Sequence, residues 1–235
     1  MNERYKFRES VHLDEWSGAH VDILVDQDDR LTVRAVDMVG DAWHDHLQEL
    51  DVAQQTHASE YARNRAIQSS LSKLITHFDG VVSGLFKYVS ESDSGFHVPE
   101  KKARFCTLLQ KIDAIAAHYC RRTAARLPEL DLDCKSIRDL LIHPYISKSL
   151  PSSRQELKQG DIFDLTVHDL KRFSTAVDRW LGAITHHFAY PRGYNTEIVG
   201  KNYCKVVYER YRAAMLVKGV RLPAYEDVEA LTSRI

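Results

Sequence analysis

Arg138 and His143, with four residues between them and Tyr145 two further on, are the side chains whose types and spacing best fit chemistry in this sequence. A histidine titrates near neutrality, so it can take or give a proton at working pH. An arginine keeps its charge and presents a fork of N–H donors that matches phosphate oxygens and the charge that builds on them. Together they suit acid–base cleavage of a phosphodiester without a metal. Both stand in Ser136-Ile137-Arg138-Asp139-Leu140-Leu141-Ile142-His143-Pro144-Tyr145. The apolar run Leu140 to Ile142 can bury itself and hold the flanking polar groups at the edge of a core. Asp139 is placed to orient either partner.

An Arg, a polar residue, three apolar residues and a His resemble the signature of the HEPN superfamily of helical proteins, many of which are metal-independent endoribonucleases. With Tyr145 added, the Arg-x4-His-x-Tyr string is similar to that of toxins paired with minimal nucleotidyltransferase antitoxins. The resemblance spans about ten residues. It implies RNA as substrate, attack of the 2′-OH on the adjacent phosphate, and Arg138 and His143 as the catalytic pair, with Asp139 and Tyr145 in support. It also implies a homodimer whose two motifs meet in one cleft, no metal and no cofactor. Tyr145 would be the acceptor of AMP from an antitoxin, and the role that of a toxin or defence effector. The toxin-type proteins are shorter, so the N-terminal strands and the last helix are additions that the resemblance does not explain.

The elements around the motif must position it. On a continuous helix Arg138 and His143 would stand about 140° apart and share no face. Pro144 biases His143 away from helical backbone, which predicts that the helix ends near Ile142 and frees the imidazole from that direction. A two-fold axis between protomers is a second way to bring an Arg and a His together. Downstream, 147–160 is polar and Ser-rich, a loop in which Lys148 and Arg154, with Lys135 upstream, are candidate RNA contacts.

Apolar residues at spacings of three and four predict helices over about 41–55, 59–89, 100–127, 164–188 and 197–217, which makes the chain mainly α. The resemblance then implies an antiparallel, HEPN-like helical bundle with the motif late in it. His44, Asp45 and His46 on the first helix have the residue types of a metal site, but neighbours on a helix point apart, and the segment reads as a solvated face. His186 and His187 fall at a helix C-terminus, where cations are favoured. Cys106 and Cys120 read as small core residues, and the tail after 217 as loosely held.

Residues 1–40 alternate with strand period, and Asp26-Gln27-Asp28-Asp29 forms a turn between two of the runs. We therefore expect a small N-terminal β-hairpin or three-stranded sheet over 1–40 and a helical domain over 41–235. So small a sheet needs a partner for one face. The net charge of −1 hides 9 Lys/Arg against 17 Asp/Glu in residues 1–95 and 23 against 16 in 96–235. The basic part holds the motif, as a surface that follows phosphates would require. No apolar run approaches the roughly 20 residues of a membrane span, and the four cysteines show neither zinc spacing nor a Cys-x-x-Cys pair. The sequence thus predicts a reduced, cytoplasmic protein without a membrane segment.

Overall fold

In the computed structural model, which describes residues 5–13, 15–28, 30–55, 59–97, 106–130, 165–193 and 196–232, the alternating N-terminal runs form three strands. These are β1 (Tyr5–His12), β2 (His20–Asp26) and β3 (Leu31–Val36), antiparallel in the order β1-β2-β3. The helices are α1 (Met38–Gln54), α2 (Glu60–Ser92), α3 (Leu108–Thr123), α4 (Val167–His187), α5 (Thr196–Val217) and α6 (Tyr225–Thr232). The protein is therefore mainly helical with a small antiparallel sheet, as the periodicity predicts.

The chain divides into two compact units, Met1–Gly40 with Gly193–Ile235, and Asp41–Arg192. The expected domains put 41–235 together, whereas this division groups Gly193–Ile235 with the strands. The cause is the sheet's need for an apolar partner. Val21, Ile23, Val25 and Leu31 on one face share a core with Tyr208, Tyr211 and Met215 of α5 and with Tyr225 and Val228 of α6. Each such side chain contributes about 1.5–3 kcal/mol on burial. Tyr225 and Val228 also correct the expectation of a loosely held tail. Tyr208 Oη donates to Pro223 O at 2.6 Å, and Tyr211 Oη donates to Glu9.

In the same unit, Asp37 caps α1 by accepting from the amides of Val39 (3.1 Å) and Gly40 (3.0 Å), so the helix starts earlier than its apolar pattern. Gly193 has φ +123°, and a Cβ there would lie 2.7 Å from Gly40 Cα and 2.9 Å from Gly40 N. Both the backbone conformation and the contact demand glycine. Gly193→Ala should cost about 1–3 kcal/mol, read as a lower urea midpoint for loss of the sheet signal.

The second unit is built on α2, whose 33 residues span roughly 50 Å. Ser59 caps it by accepting from Ala62 N, and its buried stripe includes Leu71, Leu74, Ile75, Phe78, Val82 and Leu85. α1 runs antiparallel to it, since Asp45 bonds Lys73 while Glu49 bonds Ser69. α4 runs in the same direction as α2: His46 bridges Ser70 and Ser174, Phe78 meets Trp180, and Tyr88 meets Tyr190. α3 does the same, with Lys111 on Ser83 and His118 on Asp93. The expected antiparallel order therefore holds for α1 and α2 but not among α2, α3 and α4.

Two capping boxes fix where helices begin. Thr107 with Gln110 starts α3 later than expected, and Thr166 with Asp169 starts α4. α3 ends at Thr123 because Ala124 takes the left-handed conformation (φ 55°), ahead of the end expected near residue 127. Cys106 is buried and Cys120 is exposed, so only the first is a core residue.

Candidate functional site

Lys135, Arg138, Asp139, His143, Tyr145, Lys148 and Arg154 lie outside the described residues. The helices on either side of them in sequence are described, and both line one groove. Its volume is about 740 Å³, and the C-terminal ends of α2, α3 and α4 converge on it. Asp93 from the end of α2, His118, Arg121 and Arg122 from α3, and His187 from α4 are its ionisable lining.

His118 is almost fully buried, at 3% exposure, because the cap at Thr107 phases α3 so that Leu108, Ile112, Ile115 and His118 form its inward stripe. Its Nε2–H donates to Asp93 Oδ2 at 2.9 Å, and Arg121 Nη2 approaches Nδ1 at 3.5 Å. Phe96 packs edge-on at 5.2 Å and Phe188 stacks at 6.0 Å, which fixes the ring plane. Arg122 Nη1 also donates to Asp93 Oδ2, so one oxygen serves two donors. The His118 hydrogen bond, then the Gly95 amide and the His118 and Arg122 charges, hold the Asp93 carboxyl below the usual range despite partial burial.

His187 differs from His118 in being exposed. Burial of part of the ring, then the charges of Arg122, His118 and His186, push its pKa down and favour the neutral form. Tyr119 and Phe188 hold it edge-to-face at 5.1 and 4.7 Å. The groove thus offers an oriented, buried imidazole, an exposed imidazole held toward its neutral form, one guanidinium on the Asp93 carboxylate and a second beside the His118 ring. Part of this positive charge answers the carbonyl ends of three helices. The rest is available to an anion entering the groove.

A second histidine cluster is structural. His46 is fully buried rather than on a solvated face, which corrects the reading of 44–46. Its Nδ1–H faces Ser70 O (3.1 Å) and Oγ (2.8 Å), and Ser174 Oγ donates to Nε2 at 2.8 Å. The Ser174–His46 geometry has the proton direction of a nucleophile and base, but the complete enclosure of His46 keeps a substrate away. Among the described residues no group of three or more His, Cys, Asp or Glu is placed to hold a metal ion. No described helix is long and apolar enough to cross a membrane.

Asp93 and His118 escaped the sequence reading, the first inside a loop and the second inside a helical face. The Thr107-x-x-Gln110 capping box was the available signal, because it sets the phase that turns His118 inward. No protein-family model matches the chain, and no curated protein or solved structure matches it either.

Proposed function

We propose that this protein is a metal-independent endoribonuclease of HEPN type, acting in the cytoplasm as a toxin or defence effector. The observation that carries the reading is the string Arg138-x4-His143-x-Tyr145. Support comes from the helices that flank it in sequence: α3 before it and α4 after it, both within the basic part 96–235, contribute Arg121, Arg122 and His187 to one groove.

In this mechanism His143 takes the proton of a 2′-OH as that oxygen attacks the adjacent phosphorus. The new 2′-oxygen–phosphorus bond forms while the bond to the 5′-oxygen breaks, and a second imidazole returns a proton to the leaving oxygen. In a homodimer that imidazole is the His143 of the second copy. Arg138 holds the equatorial phosphate oxygens, Asp139 orients the pair, and Lys135, Lys148 and Arg154 track the RNA backbone. Tyr145 contacts RNA or accepts AMP from a nucleotidyltransferase-type antitoxin that silences the enzyme.

A second reading, a helical module that binds RNA or a protein partner without cutting, gains from one observation. α2, α3 and α4 share a direction, unlike the antiparallel HEPN-like bundle that the motif implies. End analysis of the products of RNA incubation in EDTA tests the enzymatic reading. It predicts 2′,3′-cyclic phosphate and 5′-hydroxyl termini, and products ending in 3′-hydroxyl and 5′-phosphate would contradict 2′-OH attack.

A further inference from the structure

The C-terminal end of α5 carries apolar side chains into solvent. Leu216 is 59% exposed, Val220 41%, and Val217, at 90%, is the most exposed large hydrophobic side chain among the described residues. Single apolar side chains scattered on a surface are ordinary, but three within five residues form a patch. They stand on an ordered turn. Gly219 takes the left-handed conformation (φ +80°), so that the Val220 amide donates to Met215 O (2.9 Å) and the Gly219 amide to Leu216 O (3.0 Å). Met215 before the turn and Leu222 after it pack into the core shared with the sheet, and Arg212 Nε donates to Leu222 O at 3.0 Å. The knuckle 216–221 is thus anchored on both sides and presents its apolar tips without further ordering.

The charge around these tips has one sign. The sixteen residues from Arg210 to Tyr225 include four Lys/Arg and no Asp/Glu. Arg212 is taken up by Glu209 at 3.0 Å. Arg210, Lys218 and Arg221 are exposed, and their side chains make no ion pair or hydrogen bond among the described residues. Lys218 belongs to the knuckle itself, and Arg221 lines a recess of about 450 Å³ together with Leu216 and Leu222. Apolar tips and uncompensated cations therefore occupy the same few residues.

We propose that this knuckle docks the protein on an anionic lipid bilayer, with Leu216, Val217 and Val220 entering the headgroup boundary and Lys218 and Arg221 against the lipid phosphates and carboxylates. The contact is peripheral and needs no helix that crosses. A bilayer surface accepts apolar side chains one by one to a depth of about 5–10 Å, and its anionic headgroups attract Lys and Arg beside them. A second copy of the chain is the poorer occupant, because three side chains fall well short of the roughly 800 Å² per partner that a stable interface buries. An acidic helix lying along α5 is poorer too. Between Val206 and Leu216 the exposed positions of α5 are Arg210, Ala213 and Ala214, which leaves no row of large apolar anchors. The inference stands apart from the ribonuclease reading, since none of its residues belongs to the motif or lines the groove of α2, α3 and α4.

The test is co-sedimentation of the full chain with sucrose-loaded phosphatidylcholine vesicles, with and without about 30% phosphatidylserine, at several salt concentrations. The wild type should bind the anionic vesicles and not phosphatidylcholine alone. Leu216→Ser/Val217→Ser should weaken that binding about tenfold or more. Lys218→Gln/Arg221→Gln should weaken it about 30-fold at about 0.1 M salt, a loss that shrinks as salt rises. Lys171→Gln/Arg179→Gln, which removes two exposed cations of α4, should bind as the wild type does. Circular dichroism melts matching the wild type establish that the variants are folded, and Val217→Asp, at the most exposed position, gives the same loss should a double variant melt early. Absence of wild-type binding to the anionic vesicles would overturn the proposal, as would equal binding by the folded knuckle variants or an equal loss in the α4 variant. A dimer seen by light scattering that Leu216→Ser/Val217→Ser dissolves, with no vesicle binding, would assign the knuckle to a second copy. Binding to a poly-glutamate peptide but not to vesicles would assign it to an acidic protein, and either result would contradict the bilayer.

Discussion

Lowering the pH from 7 to 4 is expected to destabilise the helical unit by about 3 kcal/mol through His46 alone. Burial is the first cause: the ring is fully enclosed, and the His77 charge adds to the effect, against a partial offset from the hydrogen bond to the Ser70 backbone. The pKa falls from 6.5 to about 4. Because the folded value lies below the unfolded one, the unfolded chain takes up a proton first as the pH drops. The stability is therefore complete above about pH 6.5 and declines until the folded ring protonates near pH 4. The carboxyls of Asp22, Asp93 and Asp169, all held below their ordinary 3.8, lose their contributions mostly beneath this window. Urea unfolding of the wild type and His46→Leu at pH 7, 5.5 and 4 checks the assignment. The variant should lose about 2–4 kcal/mol at pH 7, where Ser70 and Ser174 are left without the imidazole, and should be much flatter with pH. Equal pH dependence in both proteins would contradict it.

The second large effect concerns Arg138. Arg138→Lys keeps the charge but removes the planar fork, so RNA cleavage should fall about 10²–10³-fold, while RNA affinity changes by less than tenfold. Single-turnover cleavage together with anisotropy separates the two quantities. A Lys variant with wild-type rate would mean that Arg138 acts only as a point charge away from the reacting phosphate. Loss of affinity equal to the loss of rate would make it a binding residue.

Periodicity made much of this architecture legible in the sequence. The strand alternation, the inward positions of α4 from Leu170 to Ile184 and the Thr166 cap all follow from local pattern. What escaped was decided elsewhere in space. His46 and His118 occupy polar types at inward positions, and only partners 24 or 25 residues away, Ser70 and Asp93, turn them into satisfied core groups. The C-terminal extent of α3 was overestimated because Arg126 is a good helix former, while Ala124 in the left-handed conformation sets that end. Helix direction is likewise invisible to periodicity, since a parallel and an antiparallel neighbour bury the same stripe. The motif was legible in the sequence as a spacing, and its residues lie outside those the structure describes.

The central claim is that His143 cleaves RNA without a metal. Its most direct test is incubation of a labelled tRNA with the purified wild type in EDTA, beside His143→Ala prepared identically and shown by circular dichroism to be folded. The account predicts cleavage by the wild type and a loss of about 10²-fold or more in the variant. Intact RNA with both proteins, or equal cleavage by both, would contradict it.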